Sequence, residues 1–417
     1  MKHYIRSVAQ ILVLIAYLLL LSVTSHVTAQ EPRSDKPARD PQRAGASVQF
    51  ASGSSALKIP LELDGTAILL RVSVNHSKPL KFVFDAAASI SIISPQRAAE
   101  LGLKTRGQVR GVATGGNIQA SLIDGVSLSV PGAEVSNQLI AAVSFDTVPC
   151  FEFDGIIGYD FINQFVVEID YQNRVMNLYD PRAYVYSGKG EIVAITISPA
   201  QRTPLVRTKL IFDGRAPVEA NLEIDTGGDG AVLINSPFVA KQKLLAAVPK
   251  TLPSSAFGGG GEQKLLFGRV KAVQLGQLII ENPVAGFSQD TEGSGASEGN
   301  DGFIGGEILH RFKVILDYSR KQMILEPNKS LGDPYEVDMS GITFGSGKDD
   351  CKVMRVESVV KDSPASEAGL QAGDIITAID GKPTSSFPST ENGKELTLTV
   401  KRGEGLIQKK IKLRRLV

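Results

Sequence analysis

The sequence predicts a mainly β chain: two similar β-barrel lobes in tandem, followed by a small α+β module. Three observations predict it. The chain contains an internal duplication, and repeats decide the fold before anything else does. Its strands are short, alternating and punctuated by turn signals, in a composition with 41 Gly and 21 Pro. After Pro327 the pattern changes, and helix-cap signals join the strand signals.

The duplication is clearest at its centre. Asn221 to Ser236 reads NLEIDTGGDGAVLINS. Val218, Leu222 and Ile224 alternate as a half-buried strand that delivers Asp225 into a turn. Gly227, Gly228 and Gly230 suit that turn, and Ala231 to Ile234 form the next apolar run. Residues 82–94, FVFDAAASISIIS, repeat the layout around Asp85. About 70 to 80 positions after each Asp comes an echo: Asp154-Gly155-Ile156-Ile157-Gly158 in one copy, Asp301-Gly302-Phe303-Ile304-Gly305 in the other. Both echoes run into Phe, an apolar run, Asp-Tyr, a basic turn and Met-x-Leu. Between Asp and echo each copy carries a Gly-rich hairpin, VATGGNIQA (112–120) and AFGGGGEQK (256–264).

With 417 residues the chain has room for about three domains. The 42% hydrophobic content supports real cores, and a net charge of +1 offers no basic surface for nucleic acid. Cys150 and Cys351 fall in different units and read as two thiols rather than a disulfide framework. His3, His26, His76 and His310 have no metal-ligand spacing, so neither metal nor cofactor is expected.

In chain order, Lys2, His3 and Arg6 precede the apolar run Ile11 to Val23, and Val27-Thr28-Ala29 offers small residues for cleavage. Residues 1–29 therefore read as a signal peptide, and the chain as exported, periplasmic or extracellular, with no stable membrane span after cleavage. Residues 30–55 are Pro-rich, charged and aperiodic, and read as a disordered leader. Copy one spans 56–183 and copy two 188–328, with 288–301 a loop that copy one lacks. In the third module, 335–417, Ser363 reads as a helix N-cap, Pro364 as the first helical residue and Gly369 as the stop.

Each copy resembles one lobe of the aspartic peptidase superfamily, the retropepsin and pepsin type. The Asp-Thr-Gly turn, the glycine-rich hairpin and the apolar-apolar-Gly element carry the resemblance, over roughly two-thirds of the chain. It implies that Asp225 and Asp85 form a catalytic dyad across a pseudo-twofold axis. One carboxyl would stay protonated while the other activates a water, because like charges in contact cannot both ionise. The active-site turns would be Thr226-Gly227 and Ala86-Ala87, and Gly115, Gly116, Gly258 and Gly259 would belong to flaps over the cleft. The implied activity is an endopeptidase acting on peptides or unfolded protein segments, as a monomer rather than a dimer.

Copy one departs from the family. Ala86-Ala87 stands where Thr-Gly is usual, so one side of a threonine interlock is missing, and a partner left unpaired there would cost about 1–3 kcal/mol. Ala87 adds a methyl at a glycine position. Two other readings follow: a degenerate, peptide-binding protein, or catalysis by two second lobes paired between chains.

The third module resembles a PDZ domain, on SPASEAGLQAGDIITAIDGKP and on Gly341-Ile342-Thr343-Phe344, which matches the loop that holds a peptide C-terminus. It implies a second peptide partner. PTSSFPSTENGKE, between Lys382 and Leu396, is short and rich in helix breakers where the family has a groove helix. Gly295-Ala296-Ser297-Glu298-Gly299 fits a nucleophile-elbow pattern but lacks a preceding strand and a following helix.

Overall fold

The structure is a computed structural model and describes residues 10–12, 16–17, 45–148, 152–345, 353–383 and 387–417. The chain is mainly β. Cys150, Cys351 and the expected signal-cleavage site lie outside the described residues.

The two copies fold alike because the same short runs make the same pairs. In copy one, Ala67–Val74 pairs antiparallel with Leu80–Phe84, which lies parallel to Gly155–Ile157. Ile92–Ile93 then passes between Gly155–Ile157 and Ala133–Ala142. Copy two repeats this with Pro204–Ile211, Val218–Ile224, Gly302–Ile304, Val232–Ile234 and Val284–Ser288. The Asp-Gly of each echo has a local reason. Asp154 accepts the Lys81 N–H at 2.8 Å, and Asp301 accepts the Asn221 N–H at 2.7 Å. Each bond fixes the start of the echo beside the strand that ends in the key Asp. The closing glycine is a close approach: a Cβ on Gly305 would lie 2.3 Å from the Gly230 oxygen.

The echo tails join the copies. Val166–Asp170 pairs antiparallel with Phe312–Asp317, from Val166↔Asp317 to Asp170↔Lys313. Val175–Tyr179 and Ser55–Pro60 extend this sheet on one side, Gln322–Pro327 and Glu191–Ile197 on the other. One apolar core, including Phe82, Phe84, Phe165, Phe287 and Phe312, runs through both lobes beneath it. A smaller cluster covers the opposite face of the first lobe, where Val83, Ile92 and Ile156 meet Ala113 and Ile118 of the hairpin.

The leader reading needs correction. Ser47–Phe50 is a strand paired with 133–136, and Phe50 stacks edge-on against Phe165, with ring centroids 5.7 Å apart. Val48 and Phe50 alternate toward the core, which the surrounding Pro-rich composition masked. Within the span expected as a signal peptide, Gln10–Leu12 and Ala16–Tyr17 are also strands, described below.

The third module has its own core, including Ile342, Val356, Leu370, Ile376 and Val400. Ser363 caps Pro364–Glu367 by accepting the Ser366 N–H, as the sequence predicts. The segment leading into the module is held by the buried Arg311. Its guanidinium donates to the carbonyls of Ser330, Asp333 and Pro334 and lies 3.7 Å over the Tyr335 ring. Arg269 of the second lobe donates to the carbonyls of Tyr335 and Val417. Among the described residues no helix is long and apolar enough to cross a membrane.

Candidate active site

Asp85 and Asp225 stand at matching strand ends. The Asp85 N–H donates to the Ile157 carbonyl at 3.0 Å, and the Asp225 N–H to the Ile304 carbonyl at 2.9 Å. The turns bring the two carboxyls together: a Cβ on Gly227 would lie 2.7 Å from the Asp85 carboxyl carbon. A glycine at 227 is therefore a condition for the carboxyls to approach. Both are fully buried.

Backbone donors hold each carboxylate. Gly227 and Gly228 N–H reach Asp225 Oδ1 at 2.9 and 2.8 Å, and the Ala87 N–H reaches Asp85 Oδ1 at 2.8 Å. Ala87 does not have the positive φ that would strain it, so its methyl is accommodated while its N–H keeps its bond. Among the described residues, neither Asp85 Oδ2 nor Asp225 Oδ2 has a conventional hydrogen-bond partner.

The threonine interlock is half made, and differently from the expectation. Thr226 Oγ1 donates to the Phe84 carbonyl and accepts the Ala86 N–H, both at 2.9 Å. Its hydroxyl serves the backbone of the other lobe, so Ala86 does not leave it unpaired.

Electrostatics split the pair. Burial first, then the negative charge of Asp225, pushes Asp85 well above the ordinary carboxyl range, against the N–H groups of Ala87 and Ala88. Burial pushes Asp225 up to about 7, opposed by the N–H groups of Gly227 and Gly228. Burial and the nearness of the two carboxyls therefore work against ionising both at once, which favours a pair that holds one proton between them.

The tips of the two Gly-rich hairpins meet each other. The Gly260 N–H donates to the Thr114 carbonyl at 2.9 Å, and a Cβ on Gly115 would lie 2.2 Å from the Gly261 oxygen. Each tip is also tied to the opposite lobe. Thr147 Oγ1 donates to the carbonyls of Gly258 and Gly259, at 3.0 Å each, and Thr114 Oγ1 lies 3.2 Å from Ser294 Oγ. The sequence predicts Gly115, Gly116, Gly258 and Gly259 at these tips, but neither Thr147 nor Ser294. A further cross-lobe clamp was also missed: Asp229 Oδ1 accepts the N–H of Thr66, the hydroxyl of Thr66 and the N–H of Ala67 at 2.8, 3.0 and 3.1 Å. Asp229 follows the Asp-Thr-Gly-Gly turn directly, the one local hint it gives.

Strands 10–12 and 16–17 lie along the two hairpins. Gln10–Leu12 runs parallel to 255–257, and Ala16–Tyr17 antiparallel to 112–113. Extended chain therefore pairs with the first strand of both flaps.

In the third module, the loop at Gly341, Ile342, Thr343 and Phe344 is partly satisfied from within. Asp338 Oδ2 accepts the Gly341 N–H at 2.6 Å, and Ser340 Oγ accepts the Ile342 N–H at 3.0 Å. Ser297 is no nucleophile elbow: it follows a short 3-10 turn, and its Oγ accepts the Gly299 N–H. Among the described residues no cluster of His, Cys, Asp or Glu is arranged to hold a metal.

Residues 70–161 match the family described as aspartyl protease, and residues 355–402 match the PDZ domain. A curated relative named "Probable CtpA-like serine protease", from Staphylococcus haemolyticus (strain JCSC1435), is 35% identical over 111 residues, 25% of this chain and 22% of that protein. The same name is carried by a relative from Staphylococcus epidermidis (strain ATCC 12228 / FDA PCI 1200), 33% identical over 111 residues with the same shares. The match thus spans 22% of the length of these relatives. Among solved structures, the crystal structure of aspartic proteinase from Irpex lacteus aligns with TM-score 0.42 and 14% identity, over 69% of this chain and 99% of that one.

Proposed function

We propose, for a chain that carries an aspartyl-protease segment and a PDZ domain, that it is an exported aspartic-type endopeptidase whose dyad is Asp85 and Asp225. One observation carries this reading: the two carboxyls meet in a closed, solvent-free site despite Ala86-Ala87, each held by backbone N–H groups. Asp225 takes a proton from a water bound between the carboxyls while that water's oxygen attacks the scissile carbonyl carbon. Asp85 gives its proton to the carbonyl oxygen, so the tetrahedral diol forms without a free oxyanion. Collapse of the diol breaks the C–N bond: the proton on Asp225 passes to the leaving nitrogen, and a diol hydroxyl returns a proton to Asp85 as the new carbonyl forms, which restores the starting state. The flaps hold the substrate as an added strand, in the manner of residues 10–12 and 16–17. The basic N-terminus and the apolar run Ile11 to Val23 support export. The PDZ domain serves as a docking module for substrate or partner.

The relatives' names specify a serine protease, but their match covers a quarter of this chain, and Ser297 has no elbow to present it. The test is peptide cleavage by residues 30–417 beside Asp225→Asn and Asp85→Asn. Activity lost in both variants supports the intrachain dyad. Loss in Asp225→Asn alone points to paired second lobes. No activity in the parent leaves the peptide-binding reading.

A further inference from the structure

Each lobe sends one loop across to the flap of the other, and the two loops hold matching places. In the first lobe, residues 141–142 lie parallel to 92–93, and the chain then runs through a loop to Gly155–Ile157. In the second, residues 285–287 lie parallel to 232–234, and the chain runs through a loop to Gly302–Ile304. Copy one therefore has a counterpart, beginning at Val143, to the loop at 288–301 that the sequence assigns to copy two alone. Thr147, on the first loop, donates to the carbonyls of Gly258 and Gly259 at the second-lobe tip. Ser294, on the second loop, meets Thr114 at the first-lobe tip.

Both loops are fixed at their bases in their own lobe. The Val143 N–H donates to the Ile93 carbonyl at 3.1 Å, and the rings of Phe145 and Phe153 stack with centroids 4.3 Å apart. In the second loop, the Asp290 carbonyl accepts from Ser236 Oγ at 2.6 Å, and Asn235 Nδ2 donates to Asn300 Oδ1 at 2.7 Å. The contacts at the tips differ in kind. Thr147 is exposed, so water replaces a carbonyl at small cost when that contact opens. Thr114 and Ser294 are buried, where a hydrogen bond counts for more. The second loop adds a backbone contact: a Cβ on Gly293 would lie 2.6 Å from the Gly116 nitrogen and 2.9 Å from the Ala113 oxygen. Glu292 also accepts from Asn117 Nδ2 at 3.4 Å.

We infer that the loops before the two echoes are reciprocal latches: the loop beginning at Val143 holds the second-lobe flap shut through Thr147, and 288–301 holds the first-lobe flap shut through Ser294. This rests on the peptidase reading for the cleft that the flaps serve, and it deepens that reading by naming what controls entry. A hairpin bonded to its own lobe alone would close whether or not the lobes were docked. A hairpin fastened by the opposite lobe closes only when they are. The buried Ser294 latch is the stronger of the two.

The test reads flap position without turnover. Residues 10–12 and 16–17 pair with one flap each, so the full chain is used, with Cys150→Ser and Cys351→Ser. Spin labels are placed on Gln119→Cys and Lys78→Cys in the first lobe, or on Lys264→Cys and Ala216→Cys in the second. All four positions are exposed, and Gln119 and Lys264 each stand three residues after the glycine that closes the hairpin. Double electron–electron resonance then gives each flap's distance distribution. Thr147→Val should raise the open share of the second-lobe flap by about fivefold and leave the first unchanged. Ser294→Ala should open the first-lobe flap alone, by about fivefold or more. Thr114→Val should repeat the Ser294→Ala result, whereas Thr114→Ser, which keeps the hydroxyl, should stay closed. Distributions that no variant changes, or variants that open the flap of their own lobe, overturn the inference. Cleavage of an octapeptide library by the parent is measured alongside. Latches that act as expected in a chain that cleaves nothing stand without the peptidase; cleavage by a chain whose flaps ignore every variant leaves the peptidase and sinks the latches.

Discussion

Asp225 holds its carboxyl in a fully buried place, and two measurable consequences follow. Its pKa is pushed up to about 7, so under the proposed peptidase reading kcat/KM should fall as pH drops below about 7, when Asp225 gains its proton. A pH profile with an acid limb near 4 would contradict this. The second consequence is on stability. The folded chain holds this proton at pH values where the unfolded chain, with its ordinary value of 3.8, has released it. Asp225 therefore lowers stability progressively as pH rises from about 4 through about 7, and buried Asp85 and Glu223, both raised, act in the same direction. Asp225→Asn removes one such group, so it should flatten the decline and be more stable than the parent at pH 8, by about 1–3 kcal/mol. Thermal melts of both chains at pH 4 and pH 8 check it. The same scale shows how far the sequence could be read. Asp85 and Asp225 are legible because each lies in a local pattern. Glu223 is not: it shares its strand face with exposed Glu219 and Asn221, and alternation assigns it to water. Only cover from residues distant in sequence, such as Asn300, buries it.

The flaps are legible as elements, from glycine runs between strands, but not their contact with each other. Thr114 and Gly260 are far apart in sequence, and nothing local marks them as partners. Their contact depends on backbones that meet without side chains: a Cβ on Gly260 would lie 2.3 Å from the Gly116 nitrogen. Gly260→Ala should therefore hold the tips apart. Faster amide exchange at 112–118 and 256–263, together with a loss of kcat/KM of at least about tenfold, is expected, since an open site admits water around the dyad. Unchanged exchange would mean the tips separate freely in the parent as well. The PDZ module shows the opposite limit. Its fold is legible in SPASEAGLQAGDIITAIDGKP, whereas the use of the Gly341 and Ile342 N–H groups by Asp338 and Ser340 is a matter of tertiary geometry.

At the scale of the molecule, three bodies are joined by two kinds of seam. Arg311 makes the seam to the PDZ module: a buried guanidinium bonded to three carbonyls of the connecting segment. Arg311→Ala leaves those carbonyls without their donor, and residues 328–335 should become the first site cut in limited proteolysis. The parent should resist there under the same protease.

The other seam is the backbone pairing of Val166–Asp170 with Phe312–Asp317. Because both strands belong to one chain, neither lobe has to find the other by diffusion, and both carboxyls of the proposed dyad are supplied by a single folded molecule. Turnover per molecule should therefore be the same at nanomolar and micromolar enzyme, with no lag after dilution. The first-lobe turn is correspondingly free to vary. A pair made by self-association must be built from identical halves, whereas here Ala86-Ala87 can face Thr226-Gly227.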